Sequence, residues 1–206
     1  MSDGTYTDLL HAKFRWPKIG DRLFLSANEW WQNACVTDGA FSRMVLMEDG
    51  FKKAADLLVE NARGDNYLSA TLIYPIVFCY RHSLELALKY IITTYGAKAG
   101  VPPNTTEHDL ARLWPHCRRV IEHFHPNNDD PALDVVEACI AEFAKIDPRS
   151  DTFRYPTTAK GQPITIQLAP IDLQQLRHTM EAIHNFFTGV DGYIDNAVSN
   201  APDDCM

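Results

Sequence analysis

The chain has 206 residues, of which 46% are hydrophobic and 22% charged, close to the composition of an average globular domain. This composition excludes a disordered tail and a fibrous repeat, and the length suits one well-cored domain. The formal net charge of -8 argues against a broad electrostatic grip on nucleic acid or on an anionic membrane, because a surface of that sign repels both.

The sequence predicts a cytoplasmic protein without a membrane span. Residues 1–8 lack the basic and apolar regions of a signal peptide. The apolar run at 72–78 is much shorter than the roughly 18 to 20 residues that cross a bilayer. The five cysteines are scattered and form no C-x-x-C pair, so we expect reduced thiols.

The first predicted element is a weakly patterned docking segment over residues 1–25, followed by one domain over 26–190 and a frayed tail over 191–206. Ser26 and Glu29 have the spacing of a capping box, which predicts a short helix carrying two tryptophans.

Two long helices are predicted next. One runs from about residue 40 to 62, and the other begins at Asn66 and carries apolar residues at three- and four-residue steps. Pro75 predicts either a kink or a junction between two segments within the second helix. Gly96 and Gly100 are expected to end it.

The remaining elements are shorter. We predict helices at about 106–113, at 115–124 after a proline, and from Pro131 to Ile146. Residues 147–170 break the helical period and predict an irregular loop or small hairpin. A last helix is expected at 171–187, so the fold class is an all-α up-and-down bundle of about five or six helices.

Several short motifs occur in an order that resembles bacterial proteins of the HEPN-like superfamily. The similarity runs from about residue 66 to 188. The motifs are Tyr74 to Lys89 (YPIVFCYRHSLELALK), His108-Asp109-Leu110, Ile146 to Ser150 (IDPRS), Phe153 to Pro156 (FRYP) and Asp172-Leu173.

This resemblance implies a helical bundle that is often a homodimer. Active members are metal-independent endoribonucleases, in which an arginine and a histidine separated by four to six residues on one helix are paired across the dimer. They occur in toxin-antitoxin pairs, phage defence and RNA processing. Many relatives lack the motif and act as binding or regulatory modules, so the expected partners are RNA, a second copy, and a cognate antitoxin or partner protein.

Arg177 and His184, with six residues between them on the last predicted helix, are the candidate catalytic pair. A seven-residue step leaves two helical side chains only about 20° apart. The imidazole would act as general base or acid toward a ribose 2′-hydroxyl, and the guanidinium would stabilise the developing charge. The alternative is an arginine and a histidine on a solvated helix rim. Other pairs within the four-to-six window are Arg118 with His123, with four residues between them, and Arg119 with His125, with five, on a helix expected to end near Pro126.

A second candidate site consists of Arg81, His82, Glu85 and Arg154, and would bind a ligand or partner. A charged arginine in the most apolar helix needs specific partners if it is buried, because an unpaired buried charge is costly. Glu85 and Asp147 are the expected carboxylate partners. The alternative is a partly solvated ladder of intrahelical charge pairs that fixes helix register.

Metal and cofactor sites are not expected. His108, His116, His123 and His125 lack the spacing of a metal site, and no H-E-x-x-H motif occurs. Walker A and Rossmann glycine patterns are also missing from the sequence.

The leading hypothesis is therefore a HEPN-like protein that binds or cleaves RNA. Its rivals are a non-catalytic module acting through Arg81, His82, Glu85 and Arg154, and a purely structural subunit. The acidic net charge favours the module hypothesis slightly, because on such a chain any RNA binding or cleavage must depend on a few local basic groups.

Overall fold

The structure, a computed structural model, describes residues 14–126 and 131–200 of the chain. Within these ranges it contains five α-helices, two short 3₁₀ helices and no β-strand. The α-helices are α1 (Ala40–Ala62), α2 (Asn66–Tyr95), α3 (Leu110–Phe124), α4 (Ala132–Ile146) and α5 (Leu173–Ser199). The prediction of an all-α bundle is confirmed. No helix among the described residues is long and apolar enough to cross a membrane.

The N-terminal residues form a unit of their own, Met1–Val36. The predicted short helix is reduced there to a 3₁₀ helix, Trp30–Gln32, and the side chain of Glu29 makes no capping hydrogen bond. The capping-box prediction is wrong. The turn is held instead by the Asn33 side chain, which accepts from Ala27 N at 2.8 Å and donates to Ala27 O at 3.0 Å. The docking role of residues 1–25 stays a prediction, and residues 1–13 lie outside the described residues.

The second unit, Thr37–Met206, is built around α2. This helix packs against α1, α3 and α5, and α3 packs in turn against α4. Burial of apolar side chains on several sides of one helix requires an almost continuous hydrophobic sequence, which α2 has. Its buried apolar residues include Ile76, Tyr80, Leu84, Leu88, Ile91 and Ile92. Pro75 lies inside one continuous helix, so the alternative of two joined segments is wrong.

Local chemistry sets both ends of α2. The carboxylate of Asp65 caps the first turn by accepting from Leu68 N at 2.9 Å. The last turn leads into a 3₁₀ helix, Gly96–Ala99, and Gly100 adopts the left-handed φ of 66°. A Cβ on Gly96 would lie 2.7 Å from the Val101 carbonyl oxygen, so this position needs glycine.

Pro115 does not separate two helices as predicted. A single helix, α3, begins after Asp109, whose carboxylate accepts from Ala111 N at 2.9 Å, and continues past the proline. Proline removes one backbone hydrogen bond from a helix interior. Burial of Leu113, Trp114 and Cys117 on either side of it offsets that loss.

The segment between α4 and α5 is an irregular loop, as predicted for residues 147–170. Its only described pairing is an isolated antiparallel bridge between Thr157 and Pro163. The turn within that bridge closes through Thr158 N to Gln162 O at 2.8 Å, and Gly161 takes a positive φ of 75°. The insert therefore resembles a very small hairpin rather than a sheet.

Helix α5 extends to Ser199, beyond the predicted end near residue 187. Gly189 was expected to stop it, since glycine in a helix interior costs about 1 kcal/mol relative to alanine. Burial of Ile194 and a 2.5 Å hydrogen bond from the Tyr95 hydroxyl to Asp191 Oδ1 anchor the extra turns. The predicted frayed tail is thus helical over residues 191–199, and 201–206 lie outside the described residues.

Candidate functional site

Arg81, at the middle of α2, is fully buried and joins three parts of the fold. Its Nη1 donates to Glu85 Oε2 at 3.0 Å, one turn along the same helix. Its Nη2 donates to the His108 carbonyl at 2.8 Å, just before α3, and its Nε donates to the Asp147 carbonyl at 2.9 Å, just after α4. Every guanidinium nitrogen is therefore used within the protein, and none is left for a ligand.

Glu85 is the anionic centre of this network. Its Oε1 accepts from Lys89 Nζ at 2.8 Å and lies 2.9 Å from His108 Nδ1. Burial alone would raise the pKa of the Glu85 carboxyl, but the hydrogen bonds and charges of Lys89 and His108 hold that pKa below its ordinary value. Glu85 is thus an anion near neutral pH and compensates Arg81 and Lys89.

Asp147 organises the loop that follows α4. Its Oδ1 accepts from the backbone nitrogens of Asp151 at 2.8 Å and Thr152 at 3.0 Å. Its Oδ2 has no hydrogen-bond partner among the described residues and lies 3.5 Å from Arg81 Nε, whose charge offsets the burial. The same loop holds Ser150 at a positive φ of 61°, a sparsely populated conformation for a residue other than glycine.

His82 and Arg154 lie on the outside of this buried network. The His82 ring stacks on Phe78, with centroids 5.7 Å apart and an interplanar angle of 8°. The Arg154 guanidinium lies over the rings of Phe78 at 5.5 Å and Tyr155 at 5.3 Å, and its Nε donates to the Ser150 carbonyl. We call Phe78, His82, Arg154 and Tyr155 the aromatic-cation patch.

The patch has one accessible cation and one weakened base. Arg154 is exposed, and among the described residues its two terminal nitrogens have no hydrogen-bond partner. Burial lowers the pKa of His82 below its usual value, so the ring is neutral near physiological pH. The predicted second site is therefore divided: Arg81 and Glu85 form an interior scaffold, and His82 and Arg154 are at the surface.

Arg177 on α5 is tied to acidic side chains of α1. Its Nη1 donates to Glu60 Oε2 at 3.0 Å, and its Nε lies 3.8 Å from Asp56 Oδ1. Asp56 also pairs with Lys52 at 2.8 Å and accepts from the Tyr80 hydroxyl at 2.7 Å. These contacts place Arg177 in a polar seam between two helices.

His184 lies further along α5, beside a cleft of about 250 Å³ between α1, α2 and α5. Its Nδ1 is 3.3 Å from Glu48 Oε1. Burial raises the pKa of Glu48 above its ordinary value, although the contact with His184 acts in the opposite direction. Asp49 and Asp191 also line the cleft, and no lysine or arginine of the described residues does. The setting of this histidine is acidic, which disfavours the approach of a phosphodiester.

One of the other Arg/His pairs, Arg118 and His123 on α3, has ordinary structural partners. Arg118 forms ion pairs with Glu122 at 2.7 Å, with Asp134 at 3.0 Å and with Glu137. His123 packs against the neighbouring Phe124 ring. Within the described part of the chain, no group of three or more His, Cys, Asp or Glu residues is placed to hold a metal ion.

One concave feature was not predicted from the sequence. A groove of about 310 Å³ lies between α2, α4, α5 and the loop before α5. Its walls are mainly apolar, with Phe143 and Ile146 from α4, Met180 and Ile183 from α5, and Phe153 from the loop. The partly exposed Leu168 and Ile171, which precede α5, also line it. The available sequence signal was these two apolar residues just before a predicted helix.

Comparison of the chain with models of protein families, with curated proteins and with solved structures found no significant match.

Proposed function

We propose that this chain is a non-catalytic binding module of HEPN-like type that recognises a short single-stranded RNA segment through the aromatic-cation patch. The observation that carries the proposal is the exposed Arg154 guanidinium held over Phe78 and Tyr155 with its terminal nitrogens available. Such nitrogens suit a phosphate, and the exposed ring of Tyr155 beside them suits a base.

The buried network supports this assignment by fixing the position of the patch. Arg81 binds the Asp147 carbonyl, Asp147 binds the backbone at Asp151 and Thr152, and Arg154 follows two residues later. Arg154 is therefore presented by an ordered loop, so little conformational entropy is lost when it binds a ligand.

The acidic net charge limits the expected binding to a local contact. Few phosphates would be neutralised, so the affinity should depend only weakly on salt, in contrast to a protein with an extended basic face.

The homodimer and a cognate antitoxin or partner protein stay predictions. Size-exclusion chromatography with light scattering tests whether the chain forms a homodimer.

The test of binding is fluorescence anisotropy with a labelled single-stranded RNA oligonucleotide and the Arg154→Ala variant. Loss of stacking and of a phosphate contact is worth about 1–3 kcal/mol, so the Kd should rise by roughly 5- to 150-fold. Arg149→Ala is the matched control, because it removes the same charge from an exposed arginine of the same loop that pairs with Asp151. Equal affinities for wild type and Arg154→Ala would contradict the proposal.

A second candidate function is metal-independent RNA cleavage by Arg177 and His184. The observation in its favour is that His184 borders a cleft and is oriented by the Glu48 carboxylate, an arrangement used to position general bases. The acidic cleft and the ion pairs of Arg177 weigh against it. Incubation of total RNA in EDTA separates the two functions: cleavage by wild type that His184→Ala abolishes supports the nuclease.

A further inference from the structure

We propose that the groove between α2, α4 and α5 is a binding site for a small cationic amphiphile, an alkyl or aryl chain with a positively charged head. This site is separate from the aromatic-cation patch and does not depend on the proposed RNA binding.

The size and lining of the groove fit a small organic molecule. A volume of about 310 Å³ lies at the lower end of the ~300–1,000 Å³ of small-molecule pockets. Such pockets are mostly apolar with a few polar groups, as here, where Gln175 and Thr179 on α5 accompany the hydrophobic walls. An apolar chain in the groove would cover Leu168 and Ile171, which otherwise contact water.

The charges that line the groove select the sign of the ligand. Glu142 on α4 and Asp172 at the start of α5 both line it, and no basic residue within 14–126 and 131–200 does. Asp172 Oδ1 already accepts from Gln174 N and Gln175 N and so offsets the positive end of α5. Glu142 has no such partner in the described residues. The charged side chains that line the groove are therefore negative, which favours an ammonium head and disfavours a carboxylate, sulfate or phosphate.

A matched pair of probes tests the proposal: decyltrimethylammonium and decyl sulfate, which carry the same chain and opposite charges. Isothermal titration calorimetry below their micelle concentrations should give a Kd at least about tenfold lower for the cation. Glu142→Gln should reduce that preference several-fold. Glu181→Gln, an exposed glutamate on α5 that does not line the groove, should leave it unchanged. Equal or tighter binding of decyl sulfate to the wild type would overturn the proposal.

The location of the bound probe is tested separately. Thr179→Phe should fill the groove and weaken decyltrimethylammonium binding at least about tenfold. In the wild type, the bound cation should slow alkylation of the half-buried Cys139, which lines the groove, and not of the exposed Cys35. This mass-spectrometric measurement needs no variant, so it decides the question even where Thr179→Phe does not fold. Undiminished alkylation of Cys139 at saturating cation would show that the probe binds elsewhere.

Discussion

Replacement of Arg81 by methionine tests whether the buried network holds the fold together. The variant loses three hydrogen bonds, of which one joins Glu85 and two satisfy the carbonyls of His108 and Asp147. Removing one partner of a buried ion pair usually costs 3–5 kcal/mol, and a buried carbonyl left without its donor costs roughly 1–3 kcal/mol.

Two features reduce this cost. Lys89 and His108 remain on Glu85 Oε1, so the carboxylate keeps its principal compensation. Methionine also recovers part of the apolar contact made by the arginine stem. We therefore expect Arg81→Met to lower the free energy of unfolding by about 3–5 kcal/mol rather than by the full sum. Domains of this kind have a total stability of roughly 5–15 kcal/mol, so a variant that starts in the upper part of this range stays folded after the loss.

The assay is urea unfolding followed by circular dichroism near neutral pH. Arg63→Met is the control: Arg63 is exposed, its Nη1 lies 3.4 Å from Glu60, and the loss should be below about 0.5 kcal/mol. The double variant Arg81→Met with Glu85→Gln should be less destabilised than the sum of the single variants, by about 0.5–3 kcal/mol. A loss below about 1 kcal/mol for Arg81→Met would refute the structural role of the network.

Three further predictions concern pH, a helix cap and two glycines. Burial lowers the pKa of His82 from 6.5, so the unfolded chain binds a proton at a higher pH than the folded chain does. The free energy of unfolding should therefore fall as the pH drops below about 6.5. The fall should be smaller in His82→Phe, and urea titrations at several pH values measure it. Asp172→Ala should cost about 1 kcal/mol and Asp172→Asn only a few tenths, since asparagine also caps helices; equal losses in urea unfolding would contradict the cap. Gly96→Ala should destabilise the protein by about 1–3 kcal/mol, because its Cβ would collide with the Val101 carbonyl. Gly189→Ala, in open space within α5, should stabilise it by about 0.5–1 kcal/mol. Thermal melts of both variants measure these changes.

Local patterns predicted the bounds of α1 and the start of α2 well. The bounds of α1 agree with the predicted 40–62, and α2 begins at Asn66 as predicted. The two helix ends that were predicted wrongly lie at a proline and a glycine, whose local penalties are outweighed by burial of neighbouring side chains. Burial of Trp114 stabilises α3 across Pro115, and burial of Ile194 stabilises α5 beyond Gly189. Propensity of this kind is overridden by tertiary packing, which the local pattern does not contain.

The sequence predicted which residues belong to the candidate sites but not how their side chains are arranged. Arg81 was expected to need partners, and Glu85 and Asp147 do contact it. The carbonyl of His108, 27 positions away, was not foreseen, because any residue type supplies a carbonyl and the sequence therefore carries no mark of it. The groove was missed for a related reason: its walls come from three helices and a loop, and no single segment contains its pattern.

The loop after α4 links the interior network to both proposed binding sites. Phe153 lines the groove, and Arg154 and Tyr155 belong to the aromatic-cation patch. The same loop is anchored by Arg81 through the Asp147 carbonyl. A buried arginine is a costly way to gain stability alone, since a hydrophobic residue of similar size often serves as well. Two of its donor nitrogens, however, fix two distant backbone segments at defined positions, which an apolar side chain cannot do. Loss of Arg81 should therefore weaken RNA binding at the patch and amphiphile binding in the groove together, even under conditions in which the helices remain folded.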